Sequence, residues 1–146
     1  LEVRRRGFEK ITIVPDIVVG SFMFRRLIKK VIFGANGIGV DDGSFGHTAG
    51  HLAIADLASV YSVPVYVIAD TSKVGEFHWH KDLNREVQWL TGDRRALREL
   101  ADSGIQMVNP REDWVAGDKV SMLITEHGAF PPAEVPHVMA RLSPKN

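Results

Sequence analysis

Short β-branched apolar runs alternate along this chain with stretches whose apolar residues recur at helical spacing. Residues 10–14 (Lys-Ile-Thr-Ile-Val) form such a run, ended by Pro15, and predict a strand. Residues 18–30 carry Val18, Val19, Phe22, Met23, Leu27 and Ile28 on one helical face. Arg25, Arg26, Lys29 and Lys30 follow near the C-terminal end, where the helix dipole favours cations. Val31, Ile32 and Phe33 make a second strand, ended by Gly34. Residues 34–46 hold five glycines in thirteen residues and predict a loop. Residues 48–61 predict a helix apolar nearly all round, hence largely buried. Residues 64–69 (Pro-Val-Tyr-Val-Ile-Ala) predict a third strand, apolar on both faces as in a buried parallel sheet.

After a loop at 70–73 and a more polar stretch over 81–104, residues 93–103 predict a helix. Asp93 is a good N-cap and Gly104 a good C′ residue. Residues 120–125 predict a fourth strand, and Pro131 and Pro132 open a last helix to about Leu142. Strands separated by helical stretches indicate an α/β domain with a mainly parallel sheet flanked by helices, in a Rossmann-like arrangement. A single domain over 1–146 fits this order.

In an open α/β sheet, ligands bind beyond the C-terminal ends of the strands. Asp16, residues 34–46 and residues 70–73 take that place here. The glycine-rich segment feeds a helix that starts near His47, and backbone N–H groups at a helix N-terminus bind anions. A phosphate is thus expected near the backbone of Gly46 to Thr48, with Lys73 and His47 or His51 in reach. The plainer reading is that the glycines only make turns, as Asp42-Gly43 commonly does. Gly37 and Gly39 begin a dinucleotide fingerprint, but Asp42 stands where its third glycine belongs. No Gly-Lys-Ser/Thr follows, so the segment is not a nucleotide-hydrolysing P-loop either.

Composition narrows the chemistry. The 146 residues include 45% hydrophobic and 25% charged residues, ordinary globular values. Lys and Arg total 18, as do Asp and Glu, so the charge balance does not point to nucleic acid. The chain has no cysteine, which excludes a disulfide framework, a cysteine-ligated metal and a cysteine nucleophile within it. No apolar run approaches the roughly 20 residues of a membrane span. No signal peptide is visible, so a cytoplasmic protein is expected. The first residue is Leu1 rather than Met, so a fragment or processed product is expected.

His47 and His51 share a helix face, but Thr48 stands where the zincin pattern needs Glu, so no metal and no cofactor is expected. The pair is read as lining a polar pocket and donating hydrogen bonds, for instance to an anion. His78 and His80 read as exposed loop, and Arg94, Arg95 and Arg98 as a solvated face.

Four ordered motifs resemble the C-terminal half of the translation initiation factor 2B family (alpha, beta and delta subunits). They are residues 10–20, 31–38, 64–73 and 123–128. The same superfamily holds methylthioribose-1-phosphate isomerase and ribose-1,5-bisphosphate isomerase. The resemblance covers the chain except about 76–107. It implies a Rossmann-like C-terminal domain that binds phosphorylated sugars or nucleotides and helps form dimers, with an N-terminal helical domain absent from this chain.

Asp16, Gly20, Gly34, Ala35, Thr71, Ser72, Lys73, Thr125, Glu126 and Gly128 match the family pattern. Ligand contacts are therefore expected from Asp16, Gly34, Ala35, Asn36, His47, Thr48, Gly50, His51 and Lys73. Three places depart. The isomerases' proton-transferring Asp is Asn36 here, and an amide cannot take up a proton at neutral pH. The Lys of the phosphate-gripping motif is Thr48, although Gly50 survives. The isomerases' catalytic Cys lies upstream of this half.

The resemblance favours a regulatory or ligand-sensing domain without isomerase activity, working as a homodimer or with related subunits. One alternative is an aldose–ketose sugar-phosphate isomerase, with Asp41 or Asp42 replacing the lost carboxylate or His47 or His51 serving as the base. The other is a scaffold domain that only dimerises.

Overall fold

The computed structural model describes residues 5–7, 10–76, 94–105 and 110–142. In chain order its strands are β1 (Val31–Gly34), β2 (Gly37–Gly39), β3 (Phe45–Thr48), β4 (Val65–Ile68), β5 (Val74–Gly75), β6 (Glu112–Val115), β7 (Met122–Thr125) and β8 (Gly128–Phe130). Its helices are α1 (Val19–Phe24), α2 (His51–Val60), α3 (Arg94–Asp102) and α4 (Val135–Leu142). The strands form two sheets, ordered β1-β4-β7-β8 and β5-β2-β3-β6. In the first, β1, β4 and β7 run parallel and β8 turns back antiparallel on β7. The fold is α/β, as the alternating pattern predicts.

The parallel strands sort their side chains by the two-residue period of a strand. Val31 and Phe33 stand in register with Val65 and Val67, and Val67 with Leu123. These residues are buried, together with Met23 of α1, Ala55 and Ala58 of α2, and Val135 and Val138 of α4. Phe45, Ile38 and Val115 of the second sheet belong to the same core. The other face carries Ile32, Tyr66 and Met122 in register, then Ile68 and Ile124. Ile32 is 61% exposed there and Ile68 50%. The expectation that residues 64–69 are buried on both faces is thus corrected. From β1 to β4 to β7 the chain always advances in the same direction across the sheet. The helix of the β1–β4 crossover, α2, packs on the buried face through Ala55 and Ala58, with the right-handedness usual for such crossovers.

Other boundaries also shift. Residues 10–14 pair with no strand among the described residues, and Ile13 is 82% exposed, so no first strand forms there. The helix expected over 18–30 is a 3-10 turn (Asp16–Val18) and then the short α1. It stops where Arg26 takes a left-handed conformation (φ 56°) and the Leu27 N–H donates to the Phe22 carbonyl, a Schellman-type end. Residues 34–46 are only in part a loop: β2 and the start of β3 pair there as an antiparallel hairpin. Residues 70–73 are likewise ordered, with a 3-10 turn at Thr71–Lys73. The helix expected over 48–61 begins at His51 and is only partly buried, since Val60 is 73% exposed. The last helix opens with a 3-10 turn at Pro132–Glu134. Helix α3 falls where the 93–103 pattern puts it, ahead of Gly104 at φ 74°. Asp93, His78 and His80 lie outside the described residues. Arg95 and Arg98 are exposed as expected, Arg95 beside Glu99 at 2.8 Å. No described helix is long and apolar enough to cross a membrane.

Candidate functional site

The C-terminal ends of β1, β4 and β7 open on one edge of the parallel sheet, since Gly34, Ile68 and Ile124 stand in register. Each strand delivers polar residues there. Ala35 and Asn36 follow β1, Asp70 to Lys73 follow β4, and Glu126 and His127 follow β7. Strand β5 then runs parallel to β2, with Ile38 opposite Val74. Segments 36 residues apart in sequence thus meet at the strand ends.

The side built by β4 and β7 is closed by its own hydrogen bonds. The Thr71 N–H donates to both carboxylate oxygens of Glu126, at 3.1 and 3.0 Å, and the Thr71 hydroxyl donates to the same carboxylate. The Thr71 hydroxyl holds the Glu126 carboxyl below its ordinary pKa. Asp70 accepts from the Ser72 N–H at 2.8 Å, and that backbone bond, ahead of the Ser72 hydroxyl, lowers its pKa. Nε2 of His127 lies 3.4 Å from Glu126. Lys73 is exposed, and its charge also favours the ionised Asp70.

The other side is built by β1 and the second sheet. The Asn36 N–H donates to the Gly46 carbonyl, which ties the end of β1 to β3. A Cβ on Gly46 would stand 3.0 Å from the Trp114 ring of β6, so the bare glycine leaves room for that ring against β3. Glu112 and Asp113 enter on β6 opposite Thr48 and His47. The Asn36 side-chain amide donates to Glu112 at 2.9 Å. The His47 ring stacks on His51, centroids 4.1 Å apart, and His51 leans on buried Phe33 at 4.6 Å. Desolvation, and then the neighbouring His51, lower the His47 pKa; Glu112 opposes them. The two rings lie one over the other. Among the described residues no three His, Asp or Glu side chains are grouped as a metal site would require.

The N-terminus of helix α2 already has its own carboxylate. The Gly50 N–H donates to Asp113 at 2.6 Å and the Leu52 N–H to the same oxygen at 3.1 Å. Asp113 is thus the carboxylate that helix α2's positive end attracts. The Ala49 N–H donates to the Arg111 carbonyl, and the Thr48 N–H to His47 Nδ1. Gly50, at φ 108°, provides the left-handed turn into the helix.

Of the residues picked from sequence, Gly34, Ala35, Asn36, His47, Thr48, Gly50, His51 and Lys73 come to this edge. Asp16 opens an exposed 3-10 turn and follows no strand, so the reason for placing it at a strand end is gone. Sequence reasoning missed Glu112 and Asp113. Nothing in their spacing marks them, since each reaches its partner across more than 60 residues.

The sequence profile described as the Initiation factor 2 subunit family matches residues 3–132. Subunit alpha of translation initiation factor eIF2B from Caenorhabditis elegans is 29% identical, over 92% of this chain and 41% of its own length. Methylthioribose-1-phosphate isomerase from a Roseiflexus species is 32% identical, over 84% of this chain and 35% of its own. The crystal structure of initiation factor eIF-2B subunit delta from A. fulgidus superposes with a TM-score of 0.74 at 26% identity. That match covers 95% of this chain and 41% of the other. The chain therefore spans about two-fifths of the length of these relatives.

Proposed function

This chain belongs to the Initiation factor 2 subunit family, and from that premise we propose that it binds a phosphorylated sugar or nucleotide as a regulatory, ligand-sensing domain. The observation that carries the reading is the grouping of Asn36, Glu112, His47 and His51 beside the end of β1, with Lys73 following the end of β4. That is where ligands of open α/β sheets bind. With the N-terminus of α2 taken by Asp113, the ligand's phosphate goes to Lys73, beside the 3-10 turn at Thr71–Lys73. The relatives named as isomerases act on a sugar phosphate, which supports this ligand class. Assembly with a second copy or a related subunit accompanies binding.

The domain does not isomerise sugar phosphates by itself. Moving hydrogen between adjacent carbons needs an acid and a base on the two sides of the substrate. Position 36 carries an amide, and no thiol exists anywhere in the chain. The test is thermal shift with ribose 5-phosphate and with AMP at millimolar concentration. Either ligand raises the melting temperature, and Lys73→Ala abolishes the rise. No stabilisation by either ligand sinks the reading. Turnover of methylthioribose-1-phosphate, assayed in parallel, sinks its non-catalytic part.

A further inference from the structure

We propose that His47, His51, Glu112 and Asn36 form a subsite for sugar hydroxyls, one that reads a vicinal diol and leaves the phosphate to Lys73. The inference deepens the reading above and rests on it. Its basis is the direction of each hydrogen bond. The Thr48 N–H donates to Nδ1 of His47 at 2.8 Å. That nitrogen must therefore accept, and the proton of the neutral ring sits on Nε2. Nδ1 of His51 lies 2.7 Å from the Thr48 carbonyl, which can only accept. The proton of His51 therefore sits on Nδ1, and its Nε2 carries the lone pair. One residue, Thr48, thus fixes two stacked imidazoles in opposite tautomers. His47 presents a donor and His51 an acceptor, with ring centroids 4.1 Å apart.

Glu112 adds acceptors to the same side. One of its oxygens takes the Asn36 amide proton, and the other accepts no hydrogen bond from the described residues. The Asn36 side-chain carbonyl oxygen is a further acceptor, since its NH₂ serves Glu112. A hydroxyl both gives and takes a hydrogen bond, so it suits one donor flanked by acceptors. A phosphate only takes them at neutral pH, and meets carboxylate repulsion from Glu112. Burial lowers the His47 pKa, which keeps the ring neutral and the donor–acceptor pattern intact near neutral pH.

The experiment is binding of ribose 5-phosphate, 2-deoxyribose 5-phosphate and inorganic phosphate to wild type, Glu112→Ala and His51→Phe. Long-range ¹⁵N–¹H NMR of the histidine rings is recorded alongside. Wild type is expected to prefer ribose 5-phosphate over its deoxy analogue by about tenfold, the worth of one hydrogen bond to a charged or well-placed acceptor. Both variants lose that preference, while inorganic phosphate binds all three proteins equally. The NMR spectrum shows an Nε2–H ring for His47 and an Nδ1–H ring for His51, both shifted by the ribose ligand only. Equal binding of the two sugars, a preference that survives both substitutions, or reversed tautomers in wild type overturns the subsite and leaves the ligand class standing. Binding of neither sugar phosphate overturns the ligand class and the subsite with it.

Discussion

The two sides of the strand-end edge are built on opposite plans. On the β4–β7 side, Thr71, Ser72, Glu126 and Asp70 satisfy one another through short-range turns and a single cross-strand carboxylate. On the hairpin side, Thr48 holds the two histidines locally while Glu112 and Asp113 reach across more than 60 residues, and several polar atoms have no partner among the described residues. Asn36 reaches Glu112, Asp113 reaches the start of α2, and the two histidines stack without bonding each other. A side whose residues saturate each other is a frame. A side with free donors and acceptors on an ordered hairpin is where ligand specificity can change without loss of the fold.

The contrast is broken most severely through Gly117. It is buried at the start of a 3-10 turn, and a Cβ there would lie 2.1 Å from the Asp42 backbone carbonyl. Asp42 in turn holds the β2–β3 turn by accepting from the Ser44 N–H at 2.9 Å. Backbone cannot step aside as a flexible side chain can. Gly117→Ala is therefore expected to cost about 3 kcal/mol, at the upper end of overpacking, or about 6–12 °C in melting temperature. Calorimetry checks this. A shift within error of zero would mean that the hairpin is not pressed against this turn.

A smaller effect isolates the helix end. Asp113→Ala leaves the Gly50 and Leu52 N–H groups without their acceptor, and an N-terminal cap of this kind is worth about 1–2 kcal/mol. Asp113→Asn keeps an acceptor in the same place and recovers most of the loss. Urea denaturation of the three proteins measures both steps. If the asparagine variant is as weak as the alanine one, charge at the helix end matters more than the hydrogen bonds, and the dipole is the larger effect.

Legibility in the sequence follows the same division. Strands β1, β4 and β7 are readable because a short β-branched run has few other folded uses. Their strand ends, with Asn36, Lys73 and Glu126, come with them. The hairpin is not readable, because β2 is Gly-Ile-Gly and β3 begins Phe-Gly. Glycine signals turns in a sequence, whereas here Gly46 makes room for Trp114, a neighbour far along the chain. Residues 10–14 mislead in the opposite way. Their pattern is that of a strand, but a strand needs a partner edge, and none is present among the described residues. Glu112 and Asp113 are invisible for a third reason: their roles exist only through β3–β6 pairing, which no local periodicity announces.

The finest distinction between the two sides is the pH at which each weakens. Glu126 and Asp70 have pKa values below those of ordinary carboxyls because hydrogen bonds from Thr71 and Ser72 favour the ionised forms. The unfolded chain therefore binds protons more readily than the folded one in that range. Their contribution is complete above the ordinary carboxylate range and is lost as pH falls through the lowered values. The His47 pKa is also lowered, by desolvation first. Here too the unfolded chain takes the proton first, so stability rises with pH up to the ordinary imidazole value of about 6.5. On acidification the hairpin side should thus weaken first, in mildly acidic solution, and the β4–β7 side later, in the carboxylate range. Melting temperature measured from pH 8 to pH 3 is expected to fall in these two stages. His47→Gln flattens the first stage and leaves the second, while Glu126→Gln flattens the second and leaves the first. A profile in which either substitution changes both stages would show that the two sides titrate as one network, and the division between frame and adaptable side would fail.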